Sequence, residues 1–448
     1  MVPEWRLGSR LCSELVYATR SIVAGAIHAS IELRVLLLSC AEETGALHHM
    51  TTLTVYVDDT GIEPAGPAAA VKRAVVGAAR HFGDSIQAMG MEFSHTKNVC
   101  LASCPHLARG ITAALPSLRI ATAVRAKSLG GALSSGRHRN TRVLQQRLQQ
   151  FRVRKDSFRK LRRAAGSART GAVLRSGGTA ALVYGQGNTG VANTMLLNQR
   201  RAVAASFVLH GAGDLDLTLT LADGSMRGRA DPAFAAHDEP IGMWSEAVWC
   251  QWLPRAALEA LTRAALVLCA GGAVAWAKVH GPAAAFVASA FRLGWSVADS
   301  FCLVTDRGQA LDLRRDSPAF VMAEVREAVW RWRWRRLEEK HPCLAAGAGG
   351  HGPFMRPIFK LLSARPNASW SAEQQGALRS AVADRQWTQG RLFSAGLASS
   401  PNCQLCVTLG FCGPDDRDPR HRGTLLHRLW TCSLHRRRTA PDGSCLAS

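Results

Sequence analysis

Residues 53–62 read Leu53-Thr54-Val55-Tyr56-Val57-Asp58-Asp59-Thr60-Gly61-Ile62. β-Branched and aromatic residues alternate with others on both sides of two adjacent carboxylates, and this pattern is typical of a two-stranded β-hairpin with the acids at its tip. Two interpretations stay open for the tip. Asp is common in ordinary turns, but carboxylates fixed at the end of a strand are also what polymerases use to hold catalytic Mg²⁺.

The segments after the hairpin bear on this choice. They predict a helix over residues 68–89, then the turn Gly90-Met91-Glu92-Phe93-Ser94-His95-Thr96-Lys97. Together they resemble reverse transcriptases, in which a Tyr-x-Asp-Asp hairpin is followed by a helix and a Gly-x-x-x-(Ser/Asn)-x-x-Lys turn. The resemblance implies that Asp58 and Asp59 bind Mg²⁺, that Tyr56 contributes to cofactor binding, and that Lys97 neutralises or protonates the leaving phosphate.

Two shorter segments extend the resemblance, and one feature departs from it. Leu129-Gly130-Gly131 is similar to the primer-grip strand, and Ser21-Ile22-Val23-Ala24-Gly25 is similar to the template-positioning segment, although the Gln usual there is missing. The family's first metal-binding aspartate lies on an upstream strand, whereas no aspartate precedes Asp58. The earlier acids fit no such strand and are interpreted as surface charges: Glu4, Glu14, Glu32, Glu42 and Glu43. We therefore expect an N-terminally truncated palm that takes a dNTP only if another segment completes it.

A second motif lies near the C-terminus, where Cys403-x-x-Cys406 is followed by His427 and Cys432. Three thiolates and an imidazole complete a tetrahedral Zn²⁺ site, and four protein ligands leave no open position, so we expect a structural site. Cys412 and His421 lie in the spacer and leave the choice of ligands open. The segment around His427 resembles the zinc-binding tail that follows the polymerase in non-long-terminal-repeat retrotransposons.

The charge of the chain indicates a polyanionic partner. Lys and Arg number 55 against 33 acids, which gives a net charge of +22 and a pI near 10.3. Residues 137–163 carry eleven Lys or Arg against one Asp and predict one or two basic amphipathic helices. We expect phosphate contacts with RNA template or DNA from Arg152, Arg154, Lys155, Arg159 and Lys160. The alternative is a solvated helix face.

Several other segments give local predictions. Residues 215–221 alternate as in a strand and end in a turn at 222–224, and residues 185–190 predict a turn before a helix. Trp330, Trp332 and Trp334 could stack on bases, although core packing of at least one of them is the favoured alternative. Residues 345–357 predict a linker, followed by a last helical segment.

Localisation is predicted from what the sequence lacks. The uncharged run 264–277 is too short for a membrane span, which needs about 20 residues, and predicts a buried core helix. The N-terminus does not resemble a secretory signal. Thirteen cysteines with one tight Cys-x-x-Cys fit free thiols and a metal site. We expect an intracellular protein, nuclear or cytoplasmic, with no membrane partner.

These observations combine into one prediction of an α+β chain. The predicted domains are a partial reverse-transcriptase palm (1–115), a basic helical thumb-like region (116–200), a helical connection region (201–345), a linker with a helical segment (346–398) and a zinc knuckle (399–440). The implied function is RNA-directed DNA synthesis by two-metal nucleotidyl transfer, inactive in the isolated chain. A non-catalytic nucleic-acid-binding zinc protein and a decayed gene fragment are the alternatives.

Overall fold

The computed structural model describes residues 28–94, 96–135, 139–207, 213–224, 229–269, 276–340 and 355–424, together with His427 and Cys432. Residues 21–25, all but the end of the predicted linker and most of the segment around His427 lie outside this description. The described chain is α+β and mainly helical, with small sheets. The fold class predicted from the sequence is confirmed at this level.

The helices, in chain order, are α1 (Ala29–Leu47), α2 (Ala68–Ala88), α3 (Pro105–Ala113), α4 (Arg142–Val153), α5 (Lys155–Val173), α6 (Thr179–Val183), α7 (Asn193–Phe207), α8 (Leu215–Asp223), α9 (Pro232–Trp249), α10 (Arg255–Cys269), α11 (Gly281–Leu293), α12 (Pro318–Lys340), α13 (Arg356–Ser363), α14 (Ala372–Val382), α15 (Gln389–Ser394) and α16 (Gln404–Thr408). The strands are β1 (Thr51–Tyr56), β2 (Asp59–Pro64), β3 (Val99–Cys100), β4 (Ala121–Thr122), β5 (Arg125–Ser128), β6 (Gly131–Ser134), β7 (Ser296–Val297), β8 (Cys302–Val304) and β9 (Ala310–Asp312).

Two compact units interleave along the chain. One comprises the residues up to Arg147, residues 183–192 and residues 236–322. The other comprises residues 148–182, residues 193–235 and the residues from Ala323 onward. The contiguous domains expected from the sequence stay a prediction.

The predicted hairpin at 53–62 is confirmed within the first unit. β1 and β2 pair antiparallel, with Tyr56 opposite Asp59 and Thr51 opposite Pro64. Leu53 and Val55 pack on a core formed by α1 and α2, which buries Leu37, Cys40, Phe82 and Ile86. Alternate side chains on β1 point to opposite faces, so the other face of the strand, which carries Tyr56, is exposed.

The helix predicted after the hairpin is confirmed as α2, and its end explains the glycine of the following turn. Gly90 has φ 76°, its N–H donates to the Gln87 carbonyl, and the Met91 N–H donates to the Ile86 carbonyl. This is a Schellman motif, which needs a left-handed residue that glycine adopts without steric cost. The turn therefore stops α2 and directs the chain toward Lys97.

The rest of the first unit forms a core around α11. This helix is buried along most of its length, and the Phe286 ring stacks on Trp244 with centroids 5.4 Å apart. β7, β8 and β9 form an antiparallel sheet after it. The predicted turn at 185–190 is confirmed, since α7 begins at Asn193.

The second unit contradicts the strand predicted at 215–221, because these residues form helix α8. The Asp214 side chain caps the helix by accepting from the Asp216 and Leu217 amides. Two buried arginines then pair with its polar face: Arg200 contacts Asp216 at 2.5 Å, and Arg333 contacts Asp223 at 3.2 Å. Asp216, Thr218, Thr220 and Asp223 are therefore buried in the second unit, whereas a half-exposed strand would place alternate polar residues in solvent.

Other local expectations have mixed outcomes. Trp330 and Trp334 lie on α12, 8% and 3% exposed, which confirms core packing of at least one Trp. Leu129 and Gly130, in the segment similar to the primer-grip strand, form the turn between β5 and β6, and Gly131 begins β6. The run 264–277 is not a fully buried helix, because Val267 on α10 is 73% exposed.

None of the described helices has the length and apolar character needed to cross a membrane.

Candidate metal centre and nucleic-acid surfaces

Cys403, Cys406, His427 and Cys432 come together in the second unit. One ligand atom from each lies within 4.8 Å of the others, and all four side chains are almost fully buried. Cys403 precedes α16 and Cys406 lies within its first turns, so the Cys-x-x-Cys spacing places both thiols on one side of the helix start. This Cys3His group could hold a metal ion such as zinc.

The distances within the group match tetrahedral coordination. The Cys406 Sγ lies 3.6 Å from the Cys432 Sγ and 3.3 Å from the His427 Nε2. Thiolates at zinc–sulfur distances of about 2.3 Å are about 3.8 Å apart around a tetrahedral ion. These two separations are therefore close to those expected around a tetrahedral ion, and the other ligand atoms lie within 4.8 Å of one another.

The orientation of His427 is set by its backbone surroundings. Its Nδ1 lies 2.6 Å from the Arg420 carbonyl, to which the ring N–H donates, and Nε2 is left facing the thiols. Metal-binding histidines commonly donate their second ring N–H to a carbonyl or carboxylate in this way. The Cys432 amide also donates to the His427 carbonyl at 2.8 Å, which ties the two ligands together.

The surroundings of Cys406 oppose ionisation of its thiol. Burial, followed by the neighbouring Cys432 and Cys403, raises the pKa of Cys406 to about 12. The thiols therefore keep their protons in the absence of an ion. The charge of a divalent cation would offset the repulsion between neighbouring thiolates, so metal binding would displace the protons.

The ligand choice that the sequence left open is narrowed by a second group. Cys412, Asp416 and His421 bring their own ligand atoms within 4.8 Å of one another, and neither Cys412 nor His421 belongs to the Cys3His group.

The acids of the hairpin lie at its tip, as expected, and both are exposed. Val57 has φ 55° and occupies the first of the two loop positions between Tyr56 and Asp59, as in a type II′ hairpin turn. A β-branched residue is strained in this region. The turn nevertheless leaves both carboxylates free to reach a ligand beyond the tip.

The rest of a polymerase site is not assembled around them. Lys97 is exposed, and no hydrogen bond or ion pair links it to Asp58 or Asp59. Within the described ranges, no third His, Cys, Asp or Glu joins Asp58 and Asp59 in a potential metal-binding group. The described acids upstream, Glu32, Glu42 and Glu43, are exposed on α1.

Comparisons with protein-family models, curated proteins and solved structures found no match. Function is inferred below from the chain's own residues.

The basic segment 137–163 supplies two helices where one or two were predicted. α4 and α5 bury the expected apolar stripe, and the Phe151 and Phe158 rings stack with centroids 5.6 Å apart. Arg152, Arg154 and Lys160 are exposed, whereas Lys155 and Arg159 are half-buried. Arg159 Nη1 lies 3.7 Å from the Asp156 carboxylate, which is the one acid of this segment.

Cations from separate segments of the chain line or adjoin a cavity of about 930 Å³ in the second unit. We call them the arginine pocket. Four cations line the cavity: Arg175, Arg356, Lys360 and Arg379. Arg162 lies near Arg379 and Arg385, and we include Arg162 and Arg385 in the group. Phe207 and Phe359 supply apolar wall, and the Arg162 guanidinium lies 5.1 Å from the Phe207 ring centroid.

The arginine pocket holds like charges together, and among the residues that the structure describes no carboxylate forms an ion pair with these cations. Burial, followed by repulsion from Arg379 and Arg385, lowers the pKa of Arg162 to about 10. The hydrogen bonds of the pocket go to neutral acceptors: Arg175 donates to the Ala222 carbonyl, Arg379 to the Leu362 carbonyl and Arg385 to the Thr218 hydroxyl. Asp223 lines the cavity, but its carboxylate is bound to Arg333 and to two backbone amides.

Proposed function

We propose that this chain is a nucleic-acid-binding protein of reverse-transcriptase origin that does not polymerise by itself. The observation that carries the binding function is the arginine pocket. Four of its arginines are partly buried: Arg162, Arg175, Arg379 and Arg385. Among the described residues no carboxylate pairs with these four side chains, so the cations repel one another, and a phosphate-bearing polyanion relieves that repulsion. The net charge of +22 and the exposed cations of α4 and α5 support the same partner, RNA or DNA.

The origin is proposed from the hairpin and its position in the chain. Exposed carboxylates at the tip, α2 behind it and the Gly90 turn leading to Lys97 follow one another in the order that the reverse-transcriptase resemblance implies. A Mg²⁺ role for Asp58 and Asp59 belongs to that ancestry. Since no third ligand accompanies them among the described residues, we propose the non-catalytic form of this function.

The zinc ion is proposed as structural. Four protein ligands fill a tetrahedral shell and leave no position for substrate. In the Cys3His group the ion would connect α16 to His427 and Cys432, and so stabilise the C-terminal Cys/His segment. A nucleic-acid-binding zinc protein without polymerase ancestry is the alternative, and the Tyr56–Asp59 hairpin favours the ancestry over it.

Binding of fluorescent single-stranded RNA and duplex DNA to the full chain tests the proposal. We expect affinity that is similar for two unrelated sequences of each polymer and falls steeply with salt. The variant Arg162→Gln/Arg379→Gln/Arg385→Gln should weaken binding at least 10-fold and lower the log–log salt slope by about 2 to 3, at about 0.9 per lost phosphate contact on duplex DNA. Because neutral residues relieve repulsion, this variant should fold at least as stably as the wild type.

The matched control is Arg73→Gln/Arg125→Gln/Arg263→Gln, which removes three exposed cations of the first unit. It should leave the affinity within about 2-fold of wild type, since scattered exposed cations add only general attraction. Equal losses in both variants would mean that net charge alone attracts the polymer. Absence of binding at low salt would contradict the proposed function.

A further inference from the structure

Three potential metal ligands outside the Cys3His group lie between α16 and His427. Cys412, Asp416 and His421 supply one sulfur, one oxygen and one nitrogen, and these atoms lie within 4.8 Å of one another. The Asp416 Oδ2 lies 2.9 Å from the His421 Nδ1. Oxygen and nitrogen ligands at about 2.0 Å from zinc lie about 3.3 Å apart around a tetrahedral ion. A small increase in the distance between Asp416 Oδ2 and His421 Nδ1 would therefore let an ion bind in place of the proton that these two atoms share.

The loop that carries these residues is held in place by hydrogen bonds. The Asn402 amide, 1% exposed, donates from Nδ2 to the carbonyls of Gly413, Pro414 and Asp416 at 3.0, 3.2 and 2.8 Å. The His421 carbonyl accepts from the Cys403 amide at 2.9 Å. The backbone of the loop thus positions the three ligands, and Cys412 also packs against the cysteines of the Cys3His group.

We propose that Cys412, Asp416 and His421 bind a second Zn²⁺ ion, held separately from the ion of the Cys3His group. The mixed set of thiolate, imidazole and carboxylate suits zinc, which accepts all three, better than Mg²⁺ or Ca²⁺, which prefer oxygen ligands. Three protein ligands leave a fourth position for water, unlike the closed Cys3His shell. The inference extends the proposed zinc module to two ions.

Zinc content of the purified full chain, dialysed against metal-free buffer, tests the inference. We expect two Zn²⁺ per chain for the wild type, one for Cys412→Ser/His421→Gln, and loss of the other ion for Cys403→Ser/Cys432→Ser. The control Cys104→Ser removes an exposed cysteine outside both groups and should keep two ions. Co²⁺ substitution adds a second readout, because only a thiolate-ligated ion gives sulfur-to-cobalt charge-transfer absorption. That absorption should persist at lower intensity in Cys412→Ser/His421→Gln.

The outcomes separate this inference from the proposed function. One Zn²⁺ per wild-type chain, lost in Cys403→Ser/Cys432→Ser, would overturn the second site and leave the structural zinc intact. Two ions retained in Cys412→Ser/His421→Gln would place the second ion elsewhere and overturn the assignment. Loss of both ions from that variant would overturn the separateness of the two sites. A wild-type chain without zinc would remove the zinc module altogether.

Discussion

Glu239 holds its proton more tightly than an exposed glutamate does. The side chain lies in α9 and accepts a hydrogen bond from the Gly187 amide at 3.1 Å. Burial raises its pKa to about 7 from an ordinary value of 4.5, although the Gly187 and Gln186 amides lower it in part. The carboxylate form is therefore costly in the folded protein, since burial penalises charge more than two amides compensate.

This pKa predicts that Glu239→Gln stabilises the protein at high pH. Between pH about 4.5 and about 7 the folded state binds a proton that the unfolded state has released, so stability falls as pH rises through this window and levels off above it. At pH 8 the variant should be more stable by roughly 1–3 kcal/mol, and near pH 4.5 the difference should vanish. Urea unfolding at several pH values measures it.

The control for Glu239 lies on the same helix. Glu246 is exposed, so Glu246→Gln should shift the unfolding free energy by little and equally at both pH values. A Glu239→Gln variant that is less stable than wild type at pH 8 would show that the ionised carboxylate is favourable where it lies.

At the level of elements, the alternation of apolar and polar residues predicted the right structure where the apolar residues are buried and the polar residues are exposed. The alternation at 53–62 gave the right hairpin because Leu53 and Val55 pack on apolar α1 and α2. The same alternation at 215–221 gave the wrong element. There Asp216 and Thr220 are buried against Arg200 and Arg333, which donate to them from distant parts of the chain. A pattern that assumes polar residues point outward has no information on such pairs.

The candidate sites divide in the same way. Cys403-x-x-Cys406 and the adjacent acids of the hairpin are local motifs. Their side chains lie close together because the residues are close in sequence. The arginine pocket gathers residues from α5, α13 and α14. Apart from Arg162, which belongs to the basic segment 137–163, none of its cations lies in a sequence motif, and only the fold brings these residues together.

The α4–α5 pair carries an element-scale prediction. Replacing Arg152, Arg154, Lys155, Arg159 and Lys160 with Ala should flatten the salt dependence of duplex DNA binding, because each phosphate contact contributes about −0.9 to the log–log slope. We expect a slope reduced by about 2 to 4, with the smaller value if the half-buried Lys155 and Arg159 contribute little. Titrations at four salt concentrations measure it.

A matched variant removes five exposed cations of the first unit: Arg34, Arg73, Arg125, Lys127 and Arg263. It should retain most of the wild-type slope. If the slopes of the two variants change equally, the nucleic acid does not bind preferentially to α4 and α5, and the basic face of these helices is an ordinary solvated surface.

For the whole molecule, the acids are too few to balance the cations. The chain has 33 acids for 55 Lys and Arg. Of the acids, Asp216, Asp223 and Asp231 are buried in the second unit, where they neutralise Arg200 and Arg333. Folding thus places these three acids in internal ion pairs, and the proposed function assigns the arginine pocket and the exposed cations of α4 and α5 to an external polyanion.

The polymerase ancestry is tested on the whole chain. We expect the purified protein to extend no primer on an RNA or DNA template with dNTPs and Mg²⁺ or Mn²⁺. Two-metal catalysis needs carboxylates from more than one strand, and within the described ranges Asp58 and Asp59 have no third ligand beside them. Positioning and electrostatic stabilisation provide most of phosphoryl-transfer catalysis, so an incomplete cage should cost orders of magnitude in rate. Extension by the wild type that disappears in Asp58→Ala would show that another carboxylate completes the site and that the chain is an active polymerase.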